Sequence, residues 1–390
     1  MPYYHRLGQV PPKRHTVFPK PGGGIHYEQL MGNLGFAGLQ SLLYTVRRPT
    51  AVRSIGTAWS MPLEGDGQPH LRMRHFRSHR LEAGGPSATR DRVPLLFNAD
   101  ITLSLARPTA ADPWLWRNAR ADEVVYVTRG SGVLESQFGN LAYREGDYLV
   151  VPRGIIWRVV PDAGVEQIHL VIETPGYIRT PKRYRNAQGQ LLEHSPYCER
   201  DIRAPSELVV RDEPGECEVM TKTGSTVERV VMDHHPFDTV GWDGCYYPWA
   251  FSIHDFEPIV GRLHQPPPVH QTFEADRFVV CSFVPRLYDF HPQAVPAPYS
   301  HSNVMTDEVI YYGNDEFMSR AGIETGSITL HPDGLPHGPQ PGRTEASIGQ
   351  VRTEELAVMI DTFAPLHAAR GLGACEDTDY GSSWLGKDPA

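Results

Sequence analysis

The chain has 390 residues, of which 40% are hydrophobic and 21% are charged, and its formal net charge is −9. These values are ordinary for a globular protein with a sizeable core, and the length allows two domains or one two-lobed unit. A negative chain without clustered lysines and arginines does not fit a nucleic-acid partner, and no apolar run reaches the roughly 20 residues of a membrane span.

Short runs of β-branched and aromatic residues, punctuated by 35 prolines and 36 glycines, make up most of the chain. Residues 28–44 allow a short helix or a hairpin, and long helical periodicity is nearly absent. Strands are then predicted at 124–127, 148–151, 157–160, 169–172, 278–284, 309–312, 327–330 and 356–360. Short strands between turn residues are typical of all-β sandwiches and barrels.

An internal repeat lies within this series. Residues 146–157 read G-x5-P-x-G-x2-W and residues 326–337 read G-x5-P-x-G-x2-H, each downstream of a strand that begins near a glutamate, Glu123 or Glu308. Glycines permit a tight turn between strands, and proline stiffens it. The duplicated pattern resembles the two motifs of the cupin superfamily, whose fold is a small jelly-roll barrel. We therefore predict an all-β bicupin with few short helices.

The second copy carries a candidate metal site. His301, Glu308 and His337 would project into one barrel mouth, and two imidazoles with one carboxylate are typical of non-haem Fe(II) oxygenases. Asp307 stands beside Glu308, and neighbouring strand residues face opposite ways, so only one of them can be a ligand. Alignment with Glu123 of the first copy favours Glu308.

The first copy lacks these ligands. Trp157 replaces the last histidine, and no histidine precedes Glu123 in residues 114–122. We predict an N-terminal region, 1–175, that includes a degenerate, metal-free barrel, a connecting segment, 176–240, and a C-terminal barrel with the metal, 241–390.

The N-terminal segment and the cysteines indicate the cellular compartment. The N-terminal segment has no apolar core of a secretory signal. The five cysteines are scattered, with no CxxC pair, which is typical of reduced thiols rather than of a disulfide scaffold. We expect a cytoplasmic protein that binds neither nucleic acid nor membrane.

The site region also resembles a specific family. Residues 298–308 and 330–339 look like the iron-binding region of the homogentisate 1,2-dioxygenase family, and residues 11–18, 235–244 and 375–384 resemble other stretches of it. The resemblance implies Fe(II)-dependent, extradiol-type opening of the homogentisate ring by O2 to give maleylacetoacetate, in tyrosine and phenylalanine catabolism. It also implies a homo-oligomer, a trimer or hexamer.

The resemblance assigns roles to further residues. His264 corresponds to the family's catalytic histidine, with His270 as the alternative. His337 and Phe317 would contact the substrate. His331 would line the pocket or support a ligand, although a place in a surface loop is an alternative. For a substrate carboxylate, the candidates are Asn303 and two arginines, Arg286 and Arg320, although solvation at the surface is the expected state of both arginines.

Two departures from the family widen the choice of substrate. The spacing from His301 to Glu308 is one residue longer than expected, and Phe317 stands where the family has a substrate-contacting tyrosine. A lost hydroxyl removes a hydrogen bond of roughly 1 kcal/mol, unless Tyr299, Tyr311 or Tyr312 compensates. The alternatives are a dioxygenase for a related hydroquinone or gentisate-like acid, another metallo-cupin enzyme, and a non-enzymatic binding protein.

Overall fold

The computed structural model describes residues 3–385 and consists almost entirely of β-strands. The first fourteen strands are β1 (His5–Gly8), β2 (Tyr27–Gly32), β3 (Gln40–Thr45), β4 (Val52–Ser60), β5 (Arg74–Arg77), β6 (Val93–Phe97), β7 (Thr102–Ala106), β8 (Leu115–Asn118), β9 (Asp122–Arg129), β10 (Gly132–Ser136), β11 (Gly139–Tyr143), β12 (Asp147–Val151), β13 (Trp157–Pro161) and β14 (Ile168–Thr174). The others are β15 (Ile202–Arg203), β16 (Pro214–Thr223), β17 (Thr226–His234), β18 (Thr239–Gly244), β19 (Trp249–Ser252), β20 (Gln271–Glu274), β21 (Phe278–Phe283), β22 (Arg286–Leu287), β23 (Asp307–Tyr312), β24 (Ser327–His331), β25 (Arg352–Thr353), β26 (Ala357–Thr362) and β27 (His367–Ala368).

Helices are few and short in the described part of the chain. The α-helix α1 spans Arg343–Ser347. The 3-10 helices are Leu34–Phe36, Ser78–Arg80, Lys182–Tyr184, Glu199–Asp201, Ile253–Asp255, Pro267–His270, Arg370–Cys375 and Tyr380–Ser382. No helix within residues 3–385 is long and apolar enough to cross a membrane.

The predicted strands are confirmed. All eight predicted runs coincide with strands to within a residue or two, and residues 28–44 form the hairpin of β2 and β3 rather than a helix. The turn of the repeat is also matched in both copies: Gly154 and Gly334 each have φ of +80°, a conformation that favours glycine. The chain is an all-β protein of the bicupin type, as predicted.

Three large sheets hold the two copies of the repeat. The first copy lies in an eight-stranded sheet, β15-β19-β12-β9-β14-β7-β6-β27, and a seven-stranded sheet, β11-β10-β13-β8-β16-β17-β4. The second copy lies in a six-stranded sheet, β20-β21-β26-β23-β24-β5. Smaller sheets are β1-β18-β3-β2 and β22-β25.

Strands cross between the sequence segments. β5 comes from the first half of the chain and forms the edge strand next to β24 in the sheet of the second copy. β16 and β17 come from the predicted connecting segment and extend a sheet of the first copy. The domain bounds 1–175, 176–240 and 241–390 stay a prediction, and residues 1–2 and 386–390 lie outside the described part.

One hydrophobic core joins the two copies. It contains β9 and β12 residues such as Val124 and Val150 together with β26 residues such as Ile360. Buried hydroxyls add specific links, since Tyr311 in β23 bonds Thr128 in β9 at 2.9 Å. Because the strands that carry the candidate metal ligands rest on this shared core, their positions are fixed by packing.

Candidate metal centre

His301 and His337 are paired across the chain. The N–H of His301 donates to the carbonyl of His337 at 2.8 Å, and the N–H of His337 returns a bond of the same length. His301 precedes β23 and His337 follows β24, and these two strands are antiparallel neighbours. Directly opposed residues place their side chains on the same face, so both imidazoles lie beside Glu308 of β23.

The predicted ligands come together. Oε2 of Glu308 lies 3.5 Å from Nε2 of His337 and 3.8 Å from Nε2 of His301, and the three potential ligand atoms lie within 4.8 Å of one another. Nε2 of His337 is buried without a hydrogen-bond partner. Two ligands at about 2.1 Å from one ion and at right angles lie about 3 Å apart, so a small closure would suit a divalent ion. The donor set fits Fe(II).

His331 supports Glu308. Its Nδ1 lies 2.7 Å from Oε1 of Glu308, and its Nε2 lies 2.9 Å from the hydroxyl of Tyr380. The ring is fully buried, so the surface-loop alternative is wrong. Because Oε1 is taken by His331, Oε2 is the oxygen left to face the two candidate histidine ligands.

Asp307 is used by the backbone instead. Its carboxylate accepts the N–H of Asp333 at 3.0 Å and the N–H of Leu366 at 2.8 Å. It also lies in a second group with His70 and Asp333, apart from the two paired histidines. Of the two neighbouring acids, the structure brings Glu308 to the histidines.

A second carboxylate, partly buried, lies opposite Glu308 at this site. Burial alone would raise the pKa of Glu308, but the neighbouring imidazoles of His301, His331 and His337 hold it well below its usual value. Asp361 of β26 stands in register with Glu308. Burial and then the charge of Glu308 raise the pKa of Asp361 to about 8. Asp361 was not predicted as a site residue, because the register between two strands cannot be derived from the sequence of one strand.

A cavity of about 130 Å³ adjoins the centre. Cavities of about 150 Å³ hold a benzene ring, so the space suits a small monocyclic molecule. Phe317 lines it at 7% exposure and packs edge-on against Phe283 and Tyr312, with centroids 5.6 and 5.0 Å apart. The remaining lining includes His264, His270, His301, Glu308, Ile310 and Met359.

The tyrosines that could compensate for Phe317 are placed differently from one another. The hydroxyls of Tyr311 and Tyr312 are already bonded to Thr128 and Thr329, each at 2.9 Å. Tyr299 is 57% exposed, and its ring centroid lies 5.2 Å from that of His264. The hydroxyls of Tyr311 and Tyr312 are therefore already used, whereas Tyr299 packs beside a histidine that lines the cavity.

Both candidate catalytic histidines line the cavity. The side chain of His264 is 52% exposed, and its Nδ1 lies 3.5 Å from Asp289. Backbone N–H groups of Gly261 and Gln265 hold that carboxylate at 3.0 and 2.9 Å. His270 is buried, and burial lowers its pKa well below 6.5. His264 thus lies at the mouth and His270 in the wall.

Two arginines also line the cavity, so the expectation that both are solvated is wrong. Arg320 is 4% exposed, and its Nη1 donates to the carbonyl of Gly338 at 2.7 Å, while its Nε has no partner. The side chain of Arg286 is 15% exposed and bonds Glu355 at 2.7 Å. Asn303 is not among the cavity-lining residues. Glu355 could not be predicted as the partner of Arg286, because the two residues lie far apart along the chain.

The chain is similar in sequence to known dioxygenases. A family model described as homogentisate 1,2-dioxygenase N-terminal matches residues 112–253. A protein named "putative dioxygenase" from Saccharolobus solfataricus is 41% identical over 391 residues, which is 98% of this chain and 99% of that protein. Homogentisate 1,2-dioxygenase from Bradyrhizobium diazoefficiens is 26% identical over 294 residues, which is 69% of this chain and 62% of that protein. The chain therefore matches less than two thirds of that longer enzyme.

Solved structures give weaker likenesses. A cupin 2 conserved barrel domain protein from Leptotrichia buccalis is similar at a TM-score of 0.34 and 10% identity, covering 78% of this chain and 100% of that chain. Protein Ylba from E. coli is similar at 0.36 and 9% identity, covering 77% and 93%. Scores at this level add nothing to the fold described above.

Proposed function

Since the chain belongs to the homogentisate 1,2-dioxygenase family, we propose that this dioxygenase uses Fe(II) and O2 to open the ring of a small aromatic acid. Homogentisate is the substrate we favour, and maleylacetoacetate is the product. The observation that carries this proposal is the convergence of His301, Glu308 and His337 beside a cavity of one-ring size. The chemistry is of the extradiol type, with both oxygen atoms entering the product.

The three side chains would hold the iron, with His331 fixing the orientation of Glu308. Bound Fe(II) would supply the electron transfer that lets triplet O2 react with a singlet arene. Two imidazoles and one carboxylate leave coordination positions for substrate and O2. The buried carboxylate stays ionised, because its three histidine neighbours lower its pKa.

His264 would take the proton of a ring hydroxyl. Its position at the cavity mouth and its contact with Asp289 suit a general base that is oriented by a carboxylate. His270 is the alternative, since a buried imidazole with a lowered pKa is neutral and its Nδ1 has no partner. Single His264→Ala and His270→Ala variants separate the two, because loss of the base lowers kcat and shifts its pH profile.

The substrate carboxylate would lie near Arg320. The unpartnered Nε of this buried side chain is a donor that an anion can satisfy. Arg286 is already paired with Glu355 and would add charge rather than a free donor. Phe317 lines the cavity and would pack on the ring. His337, a proposed metal ligand outside the cavity lining, would also contact the substrate by the family resemblance.

The setting of the enzyme is part of the proposal. All five cysteines are free, which suits a reducing cytoplasm. We propose a homo-oligomer, a trimer or hexamer, on the basis of the family alone. The step would then belong to tyrosine and phenylalanine breakdown.

The test is O2 uptake by protein loaded with Fe(II) under anaerobic conditions, with homogentisate and gentisate as separate substrates. Uptake with homogentisate and a product absorbing as maleylacetoacetate is the expected result. Uptake with gentisate alone would favour a gentisate-like acid, which the loss of a tyrosine at Phe317 makes the second candidate. No uptake with either while iron is bound would contradict both substrates. Activity that requires Mn, Ni or Zn would indicate another metallo-cupin reaction.

A further inference from the structure

A second cleft lies in the N-terminal half, far along the chain from the metal ligands. Its volume is about 460 Å³, within the range of small-molecule sites. Four cationic side chains line it: Arg90, Arg92, Arg120 and Lys222. We call this space the N-terminal cleft. The proposed ring cleavage does not use it.

Beneath Arg92 of this cleft lies the first-copy counterpart of the metal centre. Trp116 and Trp157 are paired across β8 and β13, as His301 and His337 are paired beside β23. Glu123 of β9 holds the place of Glu308 in the repeat. Beside Glu123 stands a guanidinium: Nη1 of Arg92 lies 2.8 Å from its Oε1. A protein cation thus sits next to the carboxylate where the other half gathers metal ligands.

Arg92 has a donor to spare. Its side chain is 1% exposed, its Nε donates to the carbonyl of Ala88 at 3.0 Å, and its Nη1 is used by Glu123. Its Nη2 is buried without a partner. A buried guanidinium donor that stays unpaired is costly, and an anion bound on the cleft floor would satisfy it.

The charges around the cleft leave a cationic excess. Lys222 bonds Glu173 at 2.6 Å, and Glu173 lies 3.6 Å from Arg92. Asp112, which hydrogen-bonds Thr89, adds a third carboxylate near Arg92. The lining itself holds four cationic side chains and one acidic side chain, Glu173. The side chains of Arg90 and Arg120 form no ion pair with any residue of 3–385 and are exposed at the mouth.

Apolar side chains form part of the remaining lining. Met61, Leu63, Pro94, Ile101 and Pro175 contribute to the walls. An inorganic anion would leave these surfaces in contact with water, whereas an organic anion would cover them. We propose that the N-terminal cleft binds a small organic carboxylate, held by Arg92 at the floor and by Arg90 and Arg120 at the mouth.

The probe is 4-fluorobenzoate, titrated into the full-length protein and followed by 19F NMR and calorimetry. The test variant is Arg90→Glu with Arg120→Glu, because both side chains are exposed and their reversal does not disturb the core. We expect the affinity to fall at least tenfold. The matched control is Arg200→Glu with Arg277→Glu, which changes the net charge equally at exposed positions elsewhere and should shift the affinity less than twofold.

Several results would overturn the proposal. They are equal affinity in the test and control variants, equal binding of the neutral 4-fluorobenzamide, and equally tight binding of inorganic phosphate at the same site. The outcome is separate from that of the ring-cleavage proposal. The Arg90→Glu, Arg120→Glu variant should keep the O2 uptake of the unaltered protein, since neither arginine lines the metal cavity.

Discussion

The two halves of the molecule carry the same turn and a glutamate at the same place in the repeat, yet they build different sites. Glu308 faces two paired imidazoles, whereas Glu123 lies beside two paired indoles and accepts hydrogen bonds from Trp116, Arg92 and Asn118. The backbone geometry is shared, with φ of +80° at Gly154 and Gly334. Fold and chemistry are therefore set separately: the repeat supplies the position, and the residue type at one cross-strand pair decides whether a metal can bind.

The electrostatics of the two carboxylates follow the same contrast. Burial would raise the pKa of Glu123, but the charge and hydrogen bond of Arg92 hold it below its usual value. Its Oε1 accepts from Arg92 at 2.8 Å, Asn118 at 3.2 Å and Trp116 at 3.3 Å. Glu308 has no arginine or lysine partner in the described part of the chain and is stabilised by histidines. The N-terminal half supplies its own cation, Arg92, to its buried glutamate, whereas the group around Glu308 is suited to a bound metal ion.

The largest effect is expected from making the second half resemble the first. His337→Trp removes a candidate ligand and fills its place with an indole, as Trp157 does in the N-terminal half. We expect iron binding to be lost and ring cleavage to fall by about a thousandfold or more, since a transition-state interaction is removed entirely. Metal analysis of the purified protein and O2 uptake measure both. His194→Ala, at an exposed histidine, should retain iron and activity. Retained iron in the tryptophan variant would contradict the proposed ligand set.

A second change tests the cation of the N-terminal half. Arg92→Met leaves Glu123 and Glu173 buried without their guanidinium partner. Breaking a buried pair by removing one partner costs about 3–5 kcal/mol of unfolding free energy. Urea unfolding followed by tryptophan fluorescence measures it. The double variant Arg92→Met, Glu123→Gln should recover part of the loss, and an unchanged stability in the single variant would show that the pair is not formed.

The third prediction concerns pH and the N-terminal half. His169 lies in β14, and burial, with a smaller effect from the charge of Arg92, lowers its pKa to about 3. Below pH 6.5 the imidazole of His169 is protonated in the unfolded chain, whereas in the folded protein it stays neutral until about pH 3. Stability from this group is therefore complete above pH 6.5 and is lost as the pH falls, at about 1.4 kcal/mol per unit.

His169→Gln removes this dependence. Urea unfolding of the unaltered protein and of the variant at pH 7, 6 and 5 should show a smaller decline in stability for the variant. Parallel declines would mean that His169 is protonated in the folded state. His194→Gln, at an exposed histidine, is the control and should decline as the unaltered protein does.

Parts of this comparison could be read from the sequence, and other parts could not. The strands, the repeat and the three candidate metal ligands could be predicted from local spacing and composition. The alignment of the repeat also favoured Glu308 over Asp307, but the distant N–H groups of Asp333 and Leu366 that occupy Asp307 could not be predicted.

The buried arginines could not be predicted for a similar reason. Arginine is rarely buried unless it is paired, so an arginine without a known partner is expected at the surface. Arg92 and Arg320 are buried because Glu123 and the carbonyl of Gly338 reach them through tertiary packing. The joining of β5 to β24 is likewise a long-range pairing that the strand pattern leaves open.

The smallest effect tests the specificity of the metal cavity. Phe317→Tyr adds a hydroxyl at the position where the family resemblance implies a substrate-contacting tyrosine. One added hydrogen bond of about 1 kcal/mol would lower KM for homogentisate about fivefold with little change in kcat, because it acts on bound substrate and transition state alike. Phe283→Tyr makes the same chemical change on the neighbouring ring of the same cavity and should give no such gain. If both variants improve KM equally, a hydroxyl anywhere in the cavity is sufficient. If neither variant improves KM, the bound substrate has no polar group near residue 317 that could bond to the added hydroxyl. That result would favour an acid with a different ring pattern.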